Sequence, residues 1–369
     1  MDNIEEKEAS VGTFACTKCG ADLKYKPGTE TLTCEYCGNV NEIPQLEGGE
    51  IEELDFDKYV EERIEAEETI TGKFVKCSSC GASSTLEPNI TAASCPYCAN
   101  SLVISDAKDE SVIQPKSLLP FKLTKDAAKK EFDKWVKKLW FAPNILKKAT
   151  LNFEHFKGVY IPYWTFDTDT SSNYVGQRGE HYYVTESYTT TENGKSVSKT
   201  RQVQKTRWYP ASGHVKKFFD DILTVATKSL PKHYIYELEP WDLENLVPFD
   251  KNYLSGFIAE KYQIELKEGF EIAKEIADRK IRELVRRDIG GDVQRITALN
   301  TSYKDISFKH LLLPVYVAAF KFKNKVYQFL VNGRTGEVQG ERPYSWIKIT
   351  LAVIAALAIA LTIYILTKN

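Results

Sequence analysis

The 369-residue chain contains no GxxxxGK[ST] segment, so it lacks the phosphate-cradling loop of a Walker-type NTPase or helicase; Gly194-Lys195-Ser196 has no such loop before it. HExxH and GxSxG are missing as well, which removes the usual zinc-protease and serine-hydrolase signatures. Its five histidines, at 155, 181, 214, 233 and 310, are scattered without metal-ligand spacing. Neither sign of charge dominates. With 49 Lys and Arg against 51 Asp and Glu, the net charge of −2 is too near zero for a generic polyanion binder. Disorder is excluded too, because 43% of residues are apolar, and the length suggests two or three domains. The acidic start MDNIEEKEAS has no apolar core of a secretory signal. No cysteine follows residue 98, and no charge occurs from Ile349 to Thr367. The paired acids Asp220-Asp221 and the run Arg286-Arg287-Asp288 read as structural or surface charges. An active site assembled by folding from distant residues stays open, although no motif points to one.

What is present is periodic. Cys16-x2-Cys19, fourteen residues and Cys34-x2-Cys37 recur 61 positions later as Cys77-x2-Cys80, fourteen residues and Cys95-x2-Cys98. Two thiolates two residues apart can face one ion from a tight turn, and a second such turn completes a tetrahedral four-sulfur site. The spacing predicts two structural zinc ions (Zn2+), both closed to water and so unsuited to Lewis-acid catalysis. Disulfides fit poorly with a reducing cytosolic face, and redox CxxC pairs would not need fixed pairs in duplicate. Gly20, Gly38 and Gly81 follow three of the turns; Ala99 follows the fourth, which predicts a looser turn there. The first ribbon has three Lys against four acids and the second two Lys against one Glu, so neither offers the surface that phosphate neutralisation needs.

Ile349 to Thr367 is nineteen uncharged residues, about 28 Å as a helix and close to a bilayer's hydrocarbon thickness. Trp346 and Tyr364 bracket it as an aromatic belt would, and Lys348 and Lys368 are placed to snorkel outward. Arg334, Arg342 and Lys348 precede the span and only Lys368 follows, so the positive-inside rule predicts a single-pass, tail-anchored protein of the cell membrane with its N-terminal bulk in the cytoplasm. Ala352, Ala356 and Ala360 form a small-residue stripe through which the span could form a homo- or hetero-oligomer.

Between the ribbons, Glu42 to Glu68 holds twelve acids and two bases, and Leu54, Phe56, Tyr59, Val60 and Ile64 approximate one helical face. That helix is either solvated or docked on its own chain or a basic partner. After Thr124 as N-cap, Lys125 to Trp140 predicts a helix whose core face is Phe132, Trp135, Val136 and Leu139; eight lysines from Thr124 to Thr150 allow membrane contact as the alternative. GVYIPYWTFDTD reads as a strand, with Pro162 arguing for an edge or bulge. His181–Thr191 and Ser196–Trp208 flank Asn193-Gly194 as a polar hairpin projecting into solvent, a candidate docking ribbon or simply a long loop. A helix from Glu265 to Ile289 stops at Gly290-Gly291, and strands follow at His310–Phe322 and Lys325–Val331 before the turn Asn332 to Gly336. The expected class is α+β: ribbon 1 over 12–44, an acidic helical linker over 45–71, ribbon 2 over 72–104, a β-rich α+β domain of one or two subdomains over 112–345, and a transmembrane helix over 346–367.

CTKCG…CEYCG, CSSCG…CPYCA, LLPFKLT, GVYIPYWTFD, SGHVKKFFDDIL, LEPWDL and LLPVYVAAFKFKNKVYQFLVNGRTGEVQGERPYS, with the terminal span, resemble a bacterial family of double zinc-ribbon membrane proteins over nearly the whole chain. Members are often labelled TFIIB-type zinc ribbon or replication-helicase-like, and the missing NTPase motif does not support the helicase label here. The resemblance implies association with SPFH/flotillin-like proteins and phage-shock-protein-A homologues in membrane stress. It implies roles only for Cys16, Cys19, Cys34, Cys37, Cys77, Cys80, Cys95 and Cys98, as zinc ligands. The expected function is a non-enzymatic, cytosol-facing adaptor that recruits proteins at the membrane; the alternative is a membrane-tethered nucleic-acid-binding protein, which the ribbon charges argue against.

Overall fold

The computed structural model describes residues 14–43, 53–62, 69–85, 93–102, 107–143, 156–192, 194–322, 325–342 and 344–368. The class is α+β. Strands β1 (Leu23–Tyr25), β2 (Thr31–Cys34) and β3 (Val40–Glu42) make the small sheet of ribbon 1. Then come β4 (Leu54–Asp55) and helix α1 (Phe56–Glu62). Ribbon 2 is framed by β5 (Thr69–Lys76), β6 (Ser83–Thr85), β7 (Ala93–Ser94), β8 (Ser101–Leu102) and β9 (Lys108–Ile113). After β10 (Ser117–Leu118) and α2 (Lys125–Lys138) follow two long strands, β11 (Phe156–Glu192) and β12 (Lys195–Val225). The chain continues through α3 (Lys232–Tyr236), β13 (Val247–Pro248), β14 (Ile258–Ala259), α4 (Leu266–Ile289), β15 (Val293–Phe322), β16 (Lys325–Asn332), β17 (Val338–Gly340) and α5 (Trp346–Lys368).

β11 is the axis of the main sheet. It pairs antiparallel with β15 from Phe156↔Ala318 to Gly179↔Val293, and with β12 from Tyr163↔Val225 to Glu192↔Lys195. At its root both faces are covered, and the period of two divides them. Tyr160 shares a core with Cys16, Leu23, Tyr25 and Cys34 of ribbon 1, whereas Val159, Ile161 and Tyr163 share one with Cys77, Cys95 and Tyr97 of ribbon 2. The two copies of the repeat therefore sit against opposite faces of one sheet. Farther along, α4 covers one face by packing Phe270, Ala273, Ala277 and Val285 onto Trp164, Phe166 and Tyr174. Beyond Gly179 neither α4 nor β15 continues, and β11 and β12 go on alone as an exposed two-stranded arm of thirteen residues a side, about 43 Å long.

The structure corrects several expectations. Pro162 lies in a central strand, not at an edge or bulge. Its partner Leu312 turns its carbonyl the other way, to the Leu119 N–H at 3.0 Å, so the proline nitrogen faces the break between β14, whose pairing stops at Tyr160, and β12, whose pairing starts at Tyr163. The acidic linker is helical only over α1 among the described residues; Leu54 and Asp55 instead pair with Phe308 and Ser307 of β15, and Thr69 already belongs to β5. Leu54 and Phe56 are buried, Phe56 against Phe166, Phe270 and Phe308, so this segment docks on its own chain; Ile64 lies outside the described residues. β15 begins at Val293, seventeen residues before the expected strand, because that polar stretch is held by ladder bonds to β11 and not by apolar alternation. α2 ends at Lys138 and buries Ala128, Phe132 and Val136, which is the core-facing reading. His155 lies outside the described residues.

Helix and sheet approach closely at Gly269, where an added Cβ would stand 2.7 Å from Trp164 Cδ1. Trp164 is fully buried and its indole N–H donates to Ile264 O at 2.8 Å, so it cannot swing away without leaving a buried donor unpaired. In an open helix Gly→Ala stabilises by about 1 kcal/mol. Here Gly269→Ala is expected to destabilise by about 1–3 kcal/mol in denaturant melts, the sign being set by overpacking.

Candidate metal centres

Each cysteine pair folds into the same turn, and the backbone explains why. The N–H four residues after the first cysteine donates back to that cysteine's carbonyl: Gly20 to Cys16 at 2.8 Å, and Gly38 to Cys34, Gly81 to Cys77 and Ala99 to Cys95 at 2.9 Å. The first cysteine's own N–H reaches the carbonyl five residues on, in Ala21, Asn39, Ala82 and Asn100. The residue after the second cysteine must then be left-handed, with φ of +75° at Gly20, +70° at Gly38 and +78° at Gly81. Ala99 takes +59° and keeps the hydrogen bond, so the fourth turn is as tight as the others; the missing glycine is met by strain and not by loosening. Ala99→Gly is accordingly expected to raise stability by about 1 kcal/mol in a thermal melt.

The turns bring the sulfurs into two groups, Cys16, Cys19, Cys34 and Cys37, and Cys77, Cys80, Cys95 and Cys98, each with all four ligand atoms within 4.8 Å. All eight thiols are free. Sulfur pairs Cys16–Cys37, Cys19–Cys34, Cys77–Cys98 and Cys80–Cys95 are 3.6 Å apart. A zinc–sulfur bond of about 2.3 Å gives tetrahedral edges of about 3.8 Å, so the donor set and its size fit that ion. Four thiols so close cannot all ionise against one another. Cys80 is pulled down to about 5, chiefly by its hydrogen bond with Cys95, and Cys95 is pushed up by the same bond. A divalent cation at the centre would let all four ionise.

Two buried polar groups that no sequence motif announces tie ribbon 2 and the segment between the ribbons to the sheet. Glu260, 3% exposed, accepts from Tyr97 Oη and Thr227 Oγ1 at 2.7 Å each, from Ser229 Oγ, and from Gln263 Nε2 at 3.2 Å. Tyr97 stands between two ligands of the second group, so this carboxyl is the hinge pin of ribbon 2. Burial raises its pKa to about 7 against the three hydroxyl bonds that lower it. Lys309 is the second group, bridging Glu53 at 2.9 Å and Asp221 at 3.0 Å. Through Glu53 it pins the inter-ribbon segment to β15. Asp167, whose Oδ1 accepts the Asp221 N–H at 2.7 Å, is pushed up to about 7 by burial and by Glu53. The only sequence trace of Glu260 is a lone acid following the apolar stretch Phe257–Ile258–Ala259.

The arm is the other candidate surface. On one face Glu180 and Glu186 stand opposite Arg207 and Arg201, while the other carries Thr, Ser, Gln, His181 and Tyr183. The arm's second strand, Lys195 to Arg207, holds five Lys or Arg and no acid. Arginines lie over exposed aromatic rings, Arg201 over Tyr188 and Arg207 over Tyr182. Of the five histidines, His181 is on the arm, His214 is on β12 opposite Asn173 in the three-stranded part of the sheet, and His310 is buried with Nδ1 2.9 Å from Ile113 O, its pKa lowered to about 4 by burial.

The chain is 28% identical over 339 residues, 90% of each chain, to a Bacillus subtilis (strain 168) protein named "Uncharacterized protein YdjG". No family model matches, and no solved structure matches. Helix α5 is the one described helix long and apolar enough to cross a membrane.

Proposed function

We propose that this is a non-enzymatic, membrane-anchored adaptor that holds protein partners on its β-arm, with two structural zinc ions clamping the ribbons onto the root of the same sheet. The observation that carries it is the arm: two strands that leave the covered part of the sheet with both outer edges open, an arrangement suited to adding a partner strand. Basic residues along Lys195–Arg207 favour an acidic partner segment and oppose pairing with a second identical edge. Helix α5 supplies the anchor and the excess of Arg334, Arg342 and Lys348 before it supports a cytoplasmic bulk at the cell membrane. The buried ionisable group Glu260 is spent on docking ribbon 2 and Lys309 on docking the segment between the ribbons, and a 470 Å³ cleft lined by Pro27 of ribbon 1 and Ser84, Ala93 and Pro96 of ribbon 2 carries only Lys125, Lys157 and Tyr316 as titratable lining. Partners of the SPFH/flotillin-like and phage-shock-protein-A classes are those the family resemblance suggests.

The test is co-purification of mildly crosslinked full-length protein from detergent-solubilised membranes, compared with a variant in which Val184 to Val203 is replaced by a two-residue turn. Partner recovery should fall at least tenfold while zinc content stays the same. Equal recovery sinks the adaptor reading. The same basic strand, with its aromatic rings, favours nucleic acid as the second reading, and salt-dependent binding of DNA or RNA lost in the shortened variant would establish it instead.

A further inference from the structure

We infer that the end of α2 forms a foot that rests in the anionic headgroup layer beside α5; this rests on reading α5 as a membrane span. The junction is built from two hydrogen bonds. Ser345 N–H donates to Phe141 O at 2.7 Å, and Lys348 Nζ, instead of snorkelling freely, donates to Ala142 O at 2.7 Å. Arg342 lies over the Trp135 ring at 5.6 Å, and Phe132 and Trp135 pack on Phe329, so α2 is fixed to the sheet as well as to the root of the span.

These contacts set the depth of the foot. Ser345 precedes the uncharged run by four residues, about 6 Å along a helix axis. The headgroup region of one leaflet is roughly 5–7 Å thick. At that level Trp140 is 83% and Phe141 40% exposed, beside Trp346 at 78%. Large aromatics left in the open at one height, from two separate parts of the chain, match an interfacial belt and not a folded core. Lys137 and Lys138 precede them with no acid between Lys134, which pairs with Glu131, and Ala142, and each lysine near a negatively charged leaflet adds about 1 kcal/mol of attraction. Covering by anionic lipid thus satisfies both the rings and the charges. A second contact also restrains the swivel that a single helix would leave to the soluble part.

The test uses the full chain reconstituted into vesicles of phosphatidylcholine with 30% phosphatidylglycerol, carrying a nitroxide on the headgroup as the quencher of tryptophan fluorescence. In a Trp346→Phe background, headgroup quenching should persist, and adding Trp140→Phe should reduce it at least twofold. Quenching that is the same in the two variants overturns the foot, including the case in which a protein partner covers Trp140. A nitroxide on phosphatidylglycerol should quench Trp140 more than one on phosphatidylcholine, the excess disappearing with Lys137→Gln and Lys138→Gln; equal quenching overturns the anionic preference. Failure of the anchor itself looks different: the wild-type chain would leave the vesicles in alkaline carbonate and Trp346 would not be quenched, which overturns both readings.

Discussion

Cys95→Ser should lower the metal content of the purified full-length protein from about two zinc ions per chain to about one, and should leave the second ribbon open to protease under conditions where wild type resists. The size of the effect follows from where the ribbon sits. Binding to structural four-ligand sites contributes roughly 10–16 kcal/mol, as much as a whole domain's stability. Cys95 and Cys98 flank Tyr97, whose hydroxyl bonds to Glu260 and whose ring is fully buried against the sheet. Losing the ion therefore uncovers Val159, Ile161 and Tyr163 on one face of β11 in addition to unravelling the ribbon's two cysteine turns. Cys16→Ser should expose the opposite face, around Tyr160, by the same route. Metal analysis by mass spectrometry together with limited proteolysis checks both. A wild-type chain prepared without chelator that holds no zinc would refute the metal assignment outright.

Glu260→Ala is expected to destabilise by about 3–5 kcal/mol in chemical denaturation, because it strands the hydroxyls of Tyr97, Thr227 and Ser229 in a dry site. Glu260→Gln should behave differently, since the amide oxygen can still accept from these donors. Its effect depends on pH with a sign that can be worked out. The folded-state pKa of about 7 lies above the ordinary carboxyl value, so the folded chain holds more proton than the unfolded one between about pH 4 and 7. Stability from this group is fully present below about pH 4 and declines as pH rises toward 7, by about 3 kcal/mol in all. Subtracting the Glu260→Gln stability curve from the wild-type curve should isolate that decline. A difference flat from pH 5 to 8 would show that Glu260 is ionised throughout.

The sulfur groups were legible in the residues because a metal turn is local: two cysteines, two intervening residues and a left-handed position fix its geometry wherever the turn sits. The same holds for Gly290 after α4, which stops the helix at φ +68°, and for the apolar run that became α5. Ala99 shows the limit of local rules, since the ring of hydrogen bonds around the metal turn forces a conformation that an alanine would not choose. The reach of β15 was hidden for the opposite reason. Its first half, from Val293 to Ser307, is polar and without clean alternation, and becomes a strand only because β11 supplies hydrogen bonds across it.

The sequence by itself determined that this chain carries two four-sulfur groups, an uncharged helix of membrane length, a turn at Gly194 between polar strands, and a mixture of helices and strands, because each of these depends on neighbours a few residues away. Tertiary structure alone decided what these parts do to one another. It set the repeated ribbons on opposite faces of one sheet, used Glu260 to hold ribbon 2 and Lys309 to hold the segment between the ribbons, and let two strands run on past their cover as an arm. It also brought Phe141 to Ser345 across some two hundred residues, placing a second aromatic element at the foot of the span. The physical reason is the period of two: alternate residues of β11 point to opposite faces, and which ribbon lands on which face depends on packing between segments far apart in the chain.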